Sequence, residues 1–370
     1  MKIVHITTVH NPFDNRIFFK ECLHTVKMGH EVVLIAPHDQ DQEFKGVKIK
    51  ALAKPKSRLA RMTIVNLQAC RRALLEKADI YHFHDPEFIP MACLIYLRGR
   101  KRLVYDVHED YYSSIMQKGY LPSFIRPLIA SVFSKMELFL TKGFKKVLAE
   151  KYYGERFPDG LNVLNYPGQE ILDVPVNKRS NDQLNLIYSG NISLERGAQE
   201  HVNILKYIEN AKIYMVGYCE QELADYLYEQ AGENEERLEI VGRGRYVPFA
   251  EIMAYYARGN WTAGLALIPD NPHYYYKELT KFFEYMGAGI PIICSNFPAW
   301  QELIKQTGAG ICVDYANEME IKRAVEYLYL NEQAAAAMGL KGRACVEHRF
   351  KWESELEKLE KLYDHLILKK

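Results

Sequence analysis

Paired cysteines and long apolar runs are both missing from this 370-residue sequence. Its seven cysteines are scattered and show no Cys-x-x-Cys spacing, which argues against a disulfide framework or a zinc site and fits a reducing cytosol. The longest nearly uninterrupted apolar stretch, residues 88–97, is far shorter than the roughly 20 residues that span a bilayer. No signal sequence precedes the first strand pattern, at residues 2–7, so we expect a cytoplasmic protein.

A large excess of one charge sign is also absent, because the net charge is only +1. The charge is unevenly distributed, however, with +9 over residues 1–165 and −8 over residues 166–370. This asymmetry predicts that the first half meets an anionic surface or acceptor, although complementarity between the halves explains it equally well. The basic residues lack interleaved aromatic residues and any known module, which argues against nucleic-acid binding.

Short apolar runs alternate with helical patterns along the whole chain, which predicts parallel sheets with right-handed crossovers. The thirteen candidate strands are too many for one sheet, so we expect an α/β fold with two Rossmann-like, doubly wound domains facing across a cleft. We place the first domain at 1–165, a linker at 166–183, the second domain at 184–350 and a closing helix at 351–370. The linker prediction depends on a polar sequence with two prolines and no sustained period.

Residues 280–293 carry the strongest indication of a ligand site. Thr280 is a favourable N-cap residue, and the free backbone N–H groups of a helix start can bind a phosphate. Glu284 lies one turn further on the same face, where a carboxylate suits the vicinal hydroxyls of a ribose. The pattern therefore favours a nucleotide-diphosphate site over the alternative, an ordinary capped helix with a solvated glutamate.

Polar residues also follow several predicted strands. Ligands of open parallel sheets bind beyond the carboxyl ends of strands, so these residues predict a shared site. Because a single polar strand end is as often structural, the prediction depends on several of them together. The strand ends carry the pairs His84-Asp85, His108-Glu109 and Gly190-Asn191.

Taken in order, the motifs of the chain resemble the family 4 glycosyltransferases, which have the GT-B fold, over nearly the whole length. The block from Phe282 to Met286, with Gly289 and Pro291, is the most specific of these motifs. Residues 11–16, 81–86 and 105–109 resemble loops of a branch that lacks the usual Gly-Gly. Further matches are Gly29-His30-Glu31-Val32, Asn165-Tyr166-Pro167 and Trp352 with the final helix.

The resemblance implies transfer of a sugar from a nucleotide-diphosphate sugar to an acceptor, with the anomeric configuration retained. It implies no metal and no cofactor besides that substrate. UDP is the favoured nucleotide and GDP is possible. The acceptor is expected to be a glycan or a lipid-linked molecule in cell-surface polysaccharide synthesis, bound by the first domain while the second binds the donor.

The resemblance also assigns roles to individual residues. Glu284 is expected to bind the donor ribose, and the Thr280 amide and Arg196 are expected to bind the diphosphate. His108 stands beside the transferred sugar, and the base or acceptor clamp is left open among three carboxylates, Asp14, Asp85 and Glu109. The full donor-binding prediction is Gly190, Asn191, Arg196, Thr280, Lys281 and Glu284, the catalytic prediction His108, Asp85 and Glu109, and the acceptor-side prediction Asp14, Arg16 and His84.

Two departures from the family pattern keep other functions open. Tyr276 stands where the family has the first glutamate of its Glu-x7-Glu motif, and Asn191 stands where it has an arginine. Lys277 and Lys281 are candidates for the missing positive charge. The alternatives are a nucleotide-sugar 2-epimerase, which needs no acceptor, and a non-catalytic sugar-nucleotide-binding subunit.

The basic residues of the first half predict a further partner, an anionic membrane surface at the inner face of the plasma membrane. The alternative is a solvated basic helix face. The residues concerned are the stretch 54–61, Arg71, Arg72, Lys135, Lys142, Lys145 and Lys146, with Phe133, Leu138, Phe139 and Leu140 as apolar neighbours.

Overall fold

The computed structural model describes residues 1–54, 57–99, 102–116, 121–179 and 183–368. The chain divides into two compact units, the first made of Met1–Asn165 with Trp352–Lys370 and the second of Tyr166–Lys351. The described residues of the expected linker, 166–179 and 183, are therefore grouped with the second unit, and residues 180–182 lie outside the described part of the chain.

The first unit is built on a mainly parallel sheet. Its strands are β1 Lys2–Ile6, β2 Glu31–Pro37, β3 Gln42–Phe44, β4 Val47–Leu52, β5 Ile80–Phe83, β6 Leu103–Val107, β7 Lys145–Leu148 and β8 Leu161–Asn162. Among the described residues they pair in the order β3-β4-β2-β1-β5-β6-β7-β8. Only the pair β3–β4 of this sheet is antiparallel in the described chain, and β3 is a short edge strand that the sequence pattern did not predict.

Helical segments cover both faces of this sheet. Alternate strand residues enter different cores, since Val4 packs with helices on one face while Ile3 packs with the final helix on the other. The helices are α1 Leu23–Lys27, α2 Arg58–Ala60, α3 Asn66–Glu76, α4 Ile89–Leu97, α5 Tyr111–Met116, α6 Arg126–Leu140 and, at the end of the chain, α14 Trp352–Leu368. Two π-helical segments, Asn15–Cys22 and Arg61–Val65, precede α1 and α3, and short 3₁₀ turns cover Pro86–Phe88 and Lys151–Glu155.

The second unit has a fully parallel sheet among its described residues. Its strands, β9 Leu184–Ser189, β10 Ala211–Cys219, β11 Leu238–Arg243, β12 Trp261–Ala266, β13 Ile292–Ser295 and β14 Gly310–Val313, pair in the order β11-β10-β9-β12-β13-β14. Its helices are α7 Ala198–Tyr207, α8 Gln221–Ala231, α9 Phe249–Ala257, α10 Thr280–Gly287, α11 Pro298–Thr307, α12 Glu318–Leu330 and α13 Glu332–His348. Short 3₁₀ turns cover Gln169–Ile171, Leu194–Arg196 and Gly232–Arg237.

Each sheet has a point where the strand order reverses, and ligands of such folds bind beyond the carboxyl ends of strands at that point. The reversal lies between β1 and β5 in the first unit and between β9 and β12 in the second. Most of the predicted site residues follow these or adjacent strands, so the topology brings each set together within its own unit. In the described part of the chain, none of the helices combines the length and apolar character needed to cross a membrane.

Candidate functional site

The turn after β9 is the first part of the candidate site in the second unit. Gly190 and Gly197 have φ angles of 95° and 79°, in the left-handed region that favours glycine. A Cβ atom on Gly197 would lie 1.7 Å from the carbonyl oxygen of Leu267, so a larger residue does not fit. Asn191 is exposed, and half-buried Arg196 ends the 3₁₀ turn that leads into α7.

Lys281, in the first turn of α10, is a buried cation beside this turn. Only 6% of the residue is exposed, and its Nζ atom has no hydrogen-bond partner within the described chain. Nζ lies 3.4 Å from the ring centroid of Tyr188, and its Cε atom is 4.0 Å from where a Cβ on Gly190 would stand. Burial and the charge of Arg196 lower the pKa of Lys281 well below its ordinary value. Because an unpaired buried charge is costly, this arrangement favours an anionic ligand.

The predicted N-cap of this helix is wrong. Leu279 is the N-cap residue of α10, and Thr280 is the exposed first residue of the helix, without a capping side-chain bond. Leu279 takes the cap position because its backbone is extended while its carbonyl oxygen accepts a bond from the Phe282 N–H at 3.0 Å. The backbone N–H groups of Thr280 and Lys281 remain at the helix start, where an anion is favoured.

Glu284 is held by a tyrosine network that the sequence did not reveal. Its Oε2 atom accepts a hydrogen bond of 2.8 Å from the Tyr256 hydroxyl, and the residue is half-buried. A bond of 2.7 Å joins Tyr256 to the Ser189 hydroxyl, which lies 3.2 Å from the hydroxyl of Tyr285. The network fixes the carboxylate one helical turn from Lys281, which is the spacing expected for ribose and phosphate contacts.

The two lysines proposed for the missing positive charge differ in their surroundings. Lys277 Nζ lies 2.6 Å from His273 Nε2, whereas Lys281 has no such partner in the described chain. Tyr276, which replaces the expected glutamate, is 56% exposed. Lys281 is therefore the better candidate for the cation that binds a phosphate.

The predicted histidines of the first unit lie in a buried cluster at the ends of β1, β5 and β6. His84 Nδ1 lies 2.9 Å from His108 Nε2 and 3.3 Å from Asp106 Oδ2. His84 Nε2 lies 3.1 Å from His5 Nδ1. Burial lowers the pKa of His108 well below its ordinary value, although Asp106 opposes the shift. The lowered pKa favours the neutral form of the His108 imidazole. Its side chain is 12% exposed, while His84 is fully enclosed.

Arg16 is enclosed in the same cluster. Its Nε and Nη2 atoms donate to the two oxygens of Asp106 at 3.2 and 3.1 Å, and Nε lies 3.1 Å from Glu21 Oε1. Only 5% of Arg16 is exposed, so its guanidinium is committed to buried carboxylates in this structure. These contacts hold the Arg16 side chain inside the cluster, and direct contact with an acceptor stays a prediction.

The three carboxylates considered as a base have different environments. Asp14 is the N-cap of the π-helical segment 15–22 and accepts from the backbone N–H groups of Arg16 and Ile17. Asp85 is 1% exposed and accepts from the Thr7 hydroxyl at 2.9 Å and from the Thr8 N–H. Glu109 is exposed. Asp14 and Asp85 therefore hold local structure, and Glu109 is the most exposed of the three carboxylates.

Sequence reasoning missed several residues of both groups. The sequence analysis did not identify Tyr188, Ser189 and Tyr256, because contacts with residues far away in the chain have no local signature. It also did not identify the buried partners Glu21 and Asp106. The signal that could have found the cluster is the period-2 spacing of His82 with His84 and of Asp106 with His108, which puts each pair on one face of a strand.

Two glycosyltransferase family models match separate parts of this chain. The model described as Glycosyltransferase Family 4 matches residues 15–150, and the model described as Glycosyl transferase-like matches residues 205–361. Neither match reaches half of the chain by itself, but together they cover most of both units.

Solved structures of low sequence identity share the fold. Sucrose-phosphate synthase from Thermosynechococcus elongatus has a TM-score of 0.78 at 14% identity, with 100% of both chains covered. A glycosyltransferase from Rickettsia africae has a TM-score of 0.76 at 11% identity, covering 100% of this chain and 99% of that one. Anabaena HepE in complex with UDP-glucose has a TM-score of 0.73 at 12% identity, covering 99% of this chain and 100% of that one. The predicted GT-B fold is therefore confirmed.

A curated relative matches a short part of the chain. The GDP-mannose-dependent α-(1-6)-phosphatidylinositol monomannoside mannosyltransferase of Mycobacterium tuberculosis is 31% identical over 78 residues, which are 21% of this chain. The chain spans about a fifth of the length of the curated relatives it matches, 20% as aligned. Together the findings support a glycosyltransferase of GT-B type, while membership of the retaining family 4 stays a prediction.

Proposed function

We propose that this chain of GT-B fold is a retaining glycosyltransferase that moves a sugar from a nucleotide-diphosphate sugar to a glycan or lipid-linked acceptor. The observation that carries the proposal is the buried amino group of Lys281, which has no hydrogen-bond partner within the described chain and lies at the start of α10, one turn from Glu284. A diphosphate would supply the anionic hydrogen-bond partner that Lys281 lacks within the described chain. A ribose supplies the hydroxyls that a carboxylate accepts.

The favoured donor nucleotide is UDP, and GDP is the second candidate. The UDP-glucose complex of Anabaena HepE supports a uridine donor, because the two proteins share a fold. The GDP-mannose dependence of the mycobacterial relative supports a guanosine donor through a short stretch of sequence similarity. The diphosphate and ribose contacts proposed for Lys281 and Glu284 serve either nucleotide equally.

Cleavage of the sugar–phosphate bond builds negative charge on the leaving diphosphate. In our proposal Lys281, Arg196 and the first N–H groups of α10 stabilise that charge, so the transfer itself uses no metal. A charge-assisted hydrogen bond contributes about 1.5–3 kcal/mol, so loss of one such contact should slow transfer about ten- to a hundredfold. Retention follows if the departing phosphate oxygen accepts the acceptor's proton on the same face of the sugar.

On the acceptor side we propose that His108 contacts the transferred sugar as a neutral imidazole. Its lowered pKa supports hydrogen bonding by the uncharged ring. Glu109 is the preferred base or acceptor clamp, because Asp14 and Asp85 are engaged by backbone and threonine groups. His84 then orients His108 through their 2.9 Å contact.

An exposed apolar stripe supports a lipid-linked acceptor at an anionic membrane. The side chains recur every three or four residues from the turn before α6 along that helix, which puts them on one face. Their exposed fractions are 81% for Phe124, 67% for Leu128, 58% for Val132, 46% for Met136 and 78% for Phe139. We propose that this stripe, with the exposed Lys135, Lys142 and Lys145, binds the inner face of the plasma membrane.

The structure contradicts the predicted basic surface at Lys146 and pairs two of its arginines with carboxylates. Arg61 pairs with Glu87 at 2.6 Å, and Arg72 pairs with Asp41 at 2.8 Å. Lys146 is only 6% exposed, because β7 carries it into the unit. Pro55 and Lys56, which belong to the predicted basic stretch, lie outside the described residues.

Product analysis with a panel of UDP- and GDP-sugars tests the reaction class. A new glycoside with retained configuration supports the proposal, an isomerised donor indicates an epimerase, and binding without turnover indicates a non-catalytic subunit.

Calorimetry with UDP and GDP, repeated with Glu284→Ala, tests the nucleotide site. Glu222→Ala, at an exposed position of α8, is the matched control. Nucleotide binding that is absent, or equal in all three proteins, would show that the site is misassigned.

A further inference from the structure

Four side chains of the first unit form a buried cluster whose polar atoms are poorly satisfied. His5, Glu21, His82 and His84 are each 2% exposed or less, and one ligand atom of each lies within 4.8 Å of the others. In the described chain, His82 Nε2 and both oxygens of Glu21 have no hydrogen-bond partner. Buried polar atoms seldom lack a hydrogen-bond partner, so these atoms are expected to bind a ligand or additional protons.

Local geometry brings these residues to one place. His5 on β1 and His82 on β5 are register partners of adjacent parallel strands, and His84 follows two residues later on the same face. The π-helical segment 15–22 makes residues five apart neighbours, which aligns Glu21 with Arg16 on its buried side. An α-helix would turn these two side chains to different faces.

The separations between facing atoms match those of metal ligands. His5 Nδ1 and His84 Nε2 lie 3.1 Å apart, and Glu21 Oε2 lies 3.8 Å from the former and 3.9 Å from the latter. These three distances define a point about 2.1 Å from all three atoms, which is the usual length of zinc–nitrogen and zinc–oxygen bonds.

In three of these residues, the polar atom that does not face the proposed ion lies next to a group that can orient the residue through a hydrogen bond or an ion pair. His82 Nδ1 lies 2.6 Å from the Tyr363 hydroxyl, and His84 Nδ1 lies 3.3 Å from Asp106 Oδ2. Glu21 Oε1 lies 3.1 Å from Arg16 Nε. Nε2 of His82, Nε2 of His84 and Oε2 of Glu21 are thereby left for a shared ligand.

The charges of the cluster also favour a cation. The guanidinium of Arg16 faces the carboxyl groups of both Glu21 and Asp106 in a fully buried region. Two carboxylates beside one guanidinium would leave one negative charge uncompensated, which burial makes unfavourable. Either a bound cation or one additional proton can compensate it, and only the cation also uses several lone pairs at once.

We propose that His5, His82, His84 and Glu21 bind one divalent transition-metal ion, of the kind that imidazole ligands favour, such as Zn²⁺. The ion connects β1, β5 and the segment 15–22 and stabilises the first unit. The sequence analysis argued against a zinc site and expected no metal, and the proposal departs from that expectation. The argument from scattered cysteines does not cover imidazole and carboxylate ligands. The proposed ion is structural, and its ligands and the predicted donor-binding residues belong to different units.

The test uses the full chain with a histidine-free affinity tag, freed of metal by a chelator and then titrated with Co²⁺. We expect about one equivalent to bind with the visible d–d absorption of a four-coordinate site. Stoichiometric Zn²⁺ should abolish that absorption and raise the unfolding temperature, because it binds the folded state. Elemental analysis of the protein as purified gives an independent stoichiometry.

Three variants locate the site. Glu21→Gln removes a ligand and should abolish the d–d absorption. Tyr363→Phe keeps every ligand but removes the hydroxyl partner of His82, so metal affinity should fall about 10- to 100-fold. His365→Asn, at an exposed position of the same helix, is the matched control and should bind metal like the wild type.

Absence of d–d absorption in the wild type would overturn the proposal and show that the cluster shares a proton instead. Equal metal affinity in the wild type and Tyr363→Phe would also overturn it, even if Glu21→Gln does not fold. No nucleotide enters these measurements, so a failed donor-site proposal would leave their outcome unchanged.

Discussion

Lys281 is the residue on which the proposed donor site most directly depends. The sequence predicts that Lys281 lies at the start of a helix. It does not reveal that the side chain is buried and has no hydrogen-bond partner in the described chain. An exposed lysine at this position would gain little from a phosphate, because water already solvates it. A buried one gains more, since the ligand restores interactions that burial has removed.

Replacement of Lys281 by methionine should weaken binding of UDP or GDP about ten- to a hundredfold, because one charge-assisted contact is lost. The uncharged nucleoside should bind with little change, which calorimetry can establish. Lys305→Met, at an exposed position of α11, is the control. Equal weakening for nucleoside and diphosphate would contradict a phosphate contact.

The lowered pKa of Lys281 predicts proton uptake on diphosphate binding. Above that lowered pKa the free folded protein holds the amine neutral, and a bound diphosphate favours its charged form, so affinity falls as the pH rises. Between the lowered pKa and the ordinary value of 10.5, the unfolded state binds more protons, so the unfolding free energy rises with pH.

Calorimetry in two buffers of different ionisation enthalpy measures this uptake. The measurement belongs at pH values well above the pKa of the second phosphate ionisation, which is about 6. The wild type should take up more protons than Lys281→Met. Identical proton uptake in the two proteins would show that Lys281 is already charged before the ligand binds.

At the scale of elements, the π-helical segment 15–22 shows how a local irregularity positions buried charged groups. Asp14 caps its start, and its wider turn puts Arg16 and Glu21 next to each other on the buried side. Arg16 also pairs with Asp106, and Glu21 lies 3.8 Å from His5. The sequence analysis interpreted Asp14 and Arg16 as acceptor-side residues because their motif resembles a family loop. In the structure, Asp14 caps the segment and Arg16 pairs with Glu21 and Asp106, so both side chains bind groups of their own unit.

Helix α6 carries the prediction on membranes. The wild type should float with anionic vesicles at low salt and less with neutral ones, because both the apolar stripe and the lysines contribute. The double variant Leu128→Ser with Phe139→Ser should lose most of this binding, whereas Leu330→Ser, an exposed leucine of α12, should not. Equal recovery on neutral and anionic vesicles would remove the electrostatic part of the proposal.

At the scale of the whole molecule, the end of the chain completes the first unit. Trp352, Leu359 and Tyr363 of α14 are buried in one core with residues of β1, β5 and β6. This packing joins segments that are hundreds of residues apart, and it also supplies the Tyr363 hydroxyl to His82.

Truncation of a buried leucine in α14 should therefore destabilise the protein. We expect Leu359→Ala to lower the free energy of unfolding by about 2–5 kcal/mol, because it leaves a cavity in that core. Leu368→Ala, at an 81% exposed site of the same helix, should change it by less than about 0.5 kcal/mol. Denaturant unfolding measures both, and equal effects would show that the helix is not packed as described.

The sequence by itself determined the α/β class, the two sheets and the helix that presents Lys281 and Glu284, because strand and helix periods and glycine positions are local properties. Only the tertiary structure decided that Leu279 caps that helix, that Tyr256 holds Glu284, and that His84 and Arg16 are enclosed with Glu21 and Asp106. The physical reason is that burial and pairing depend on residues brought together from distant parts of the chain. A local sequence pattern predicts which face of a helix or strand carries a side chain, but it does not predict which residues that side chain contacts.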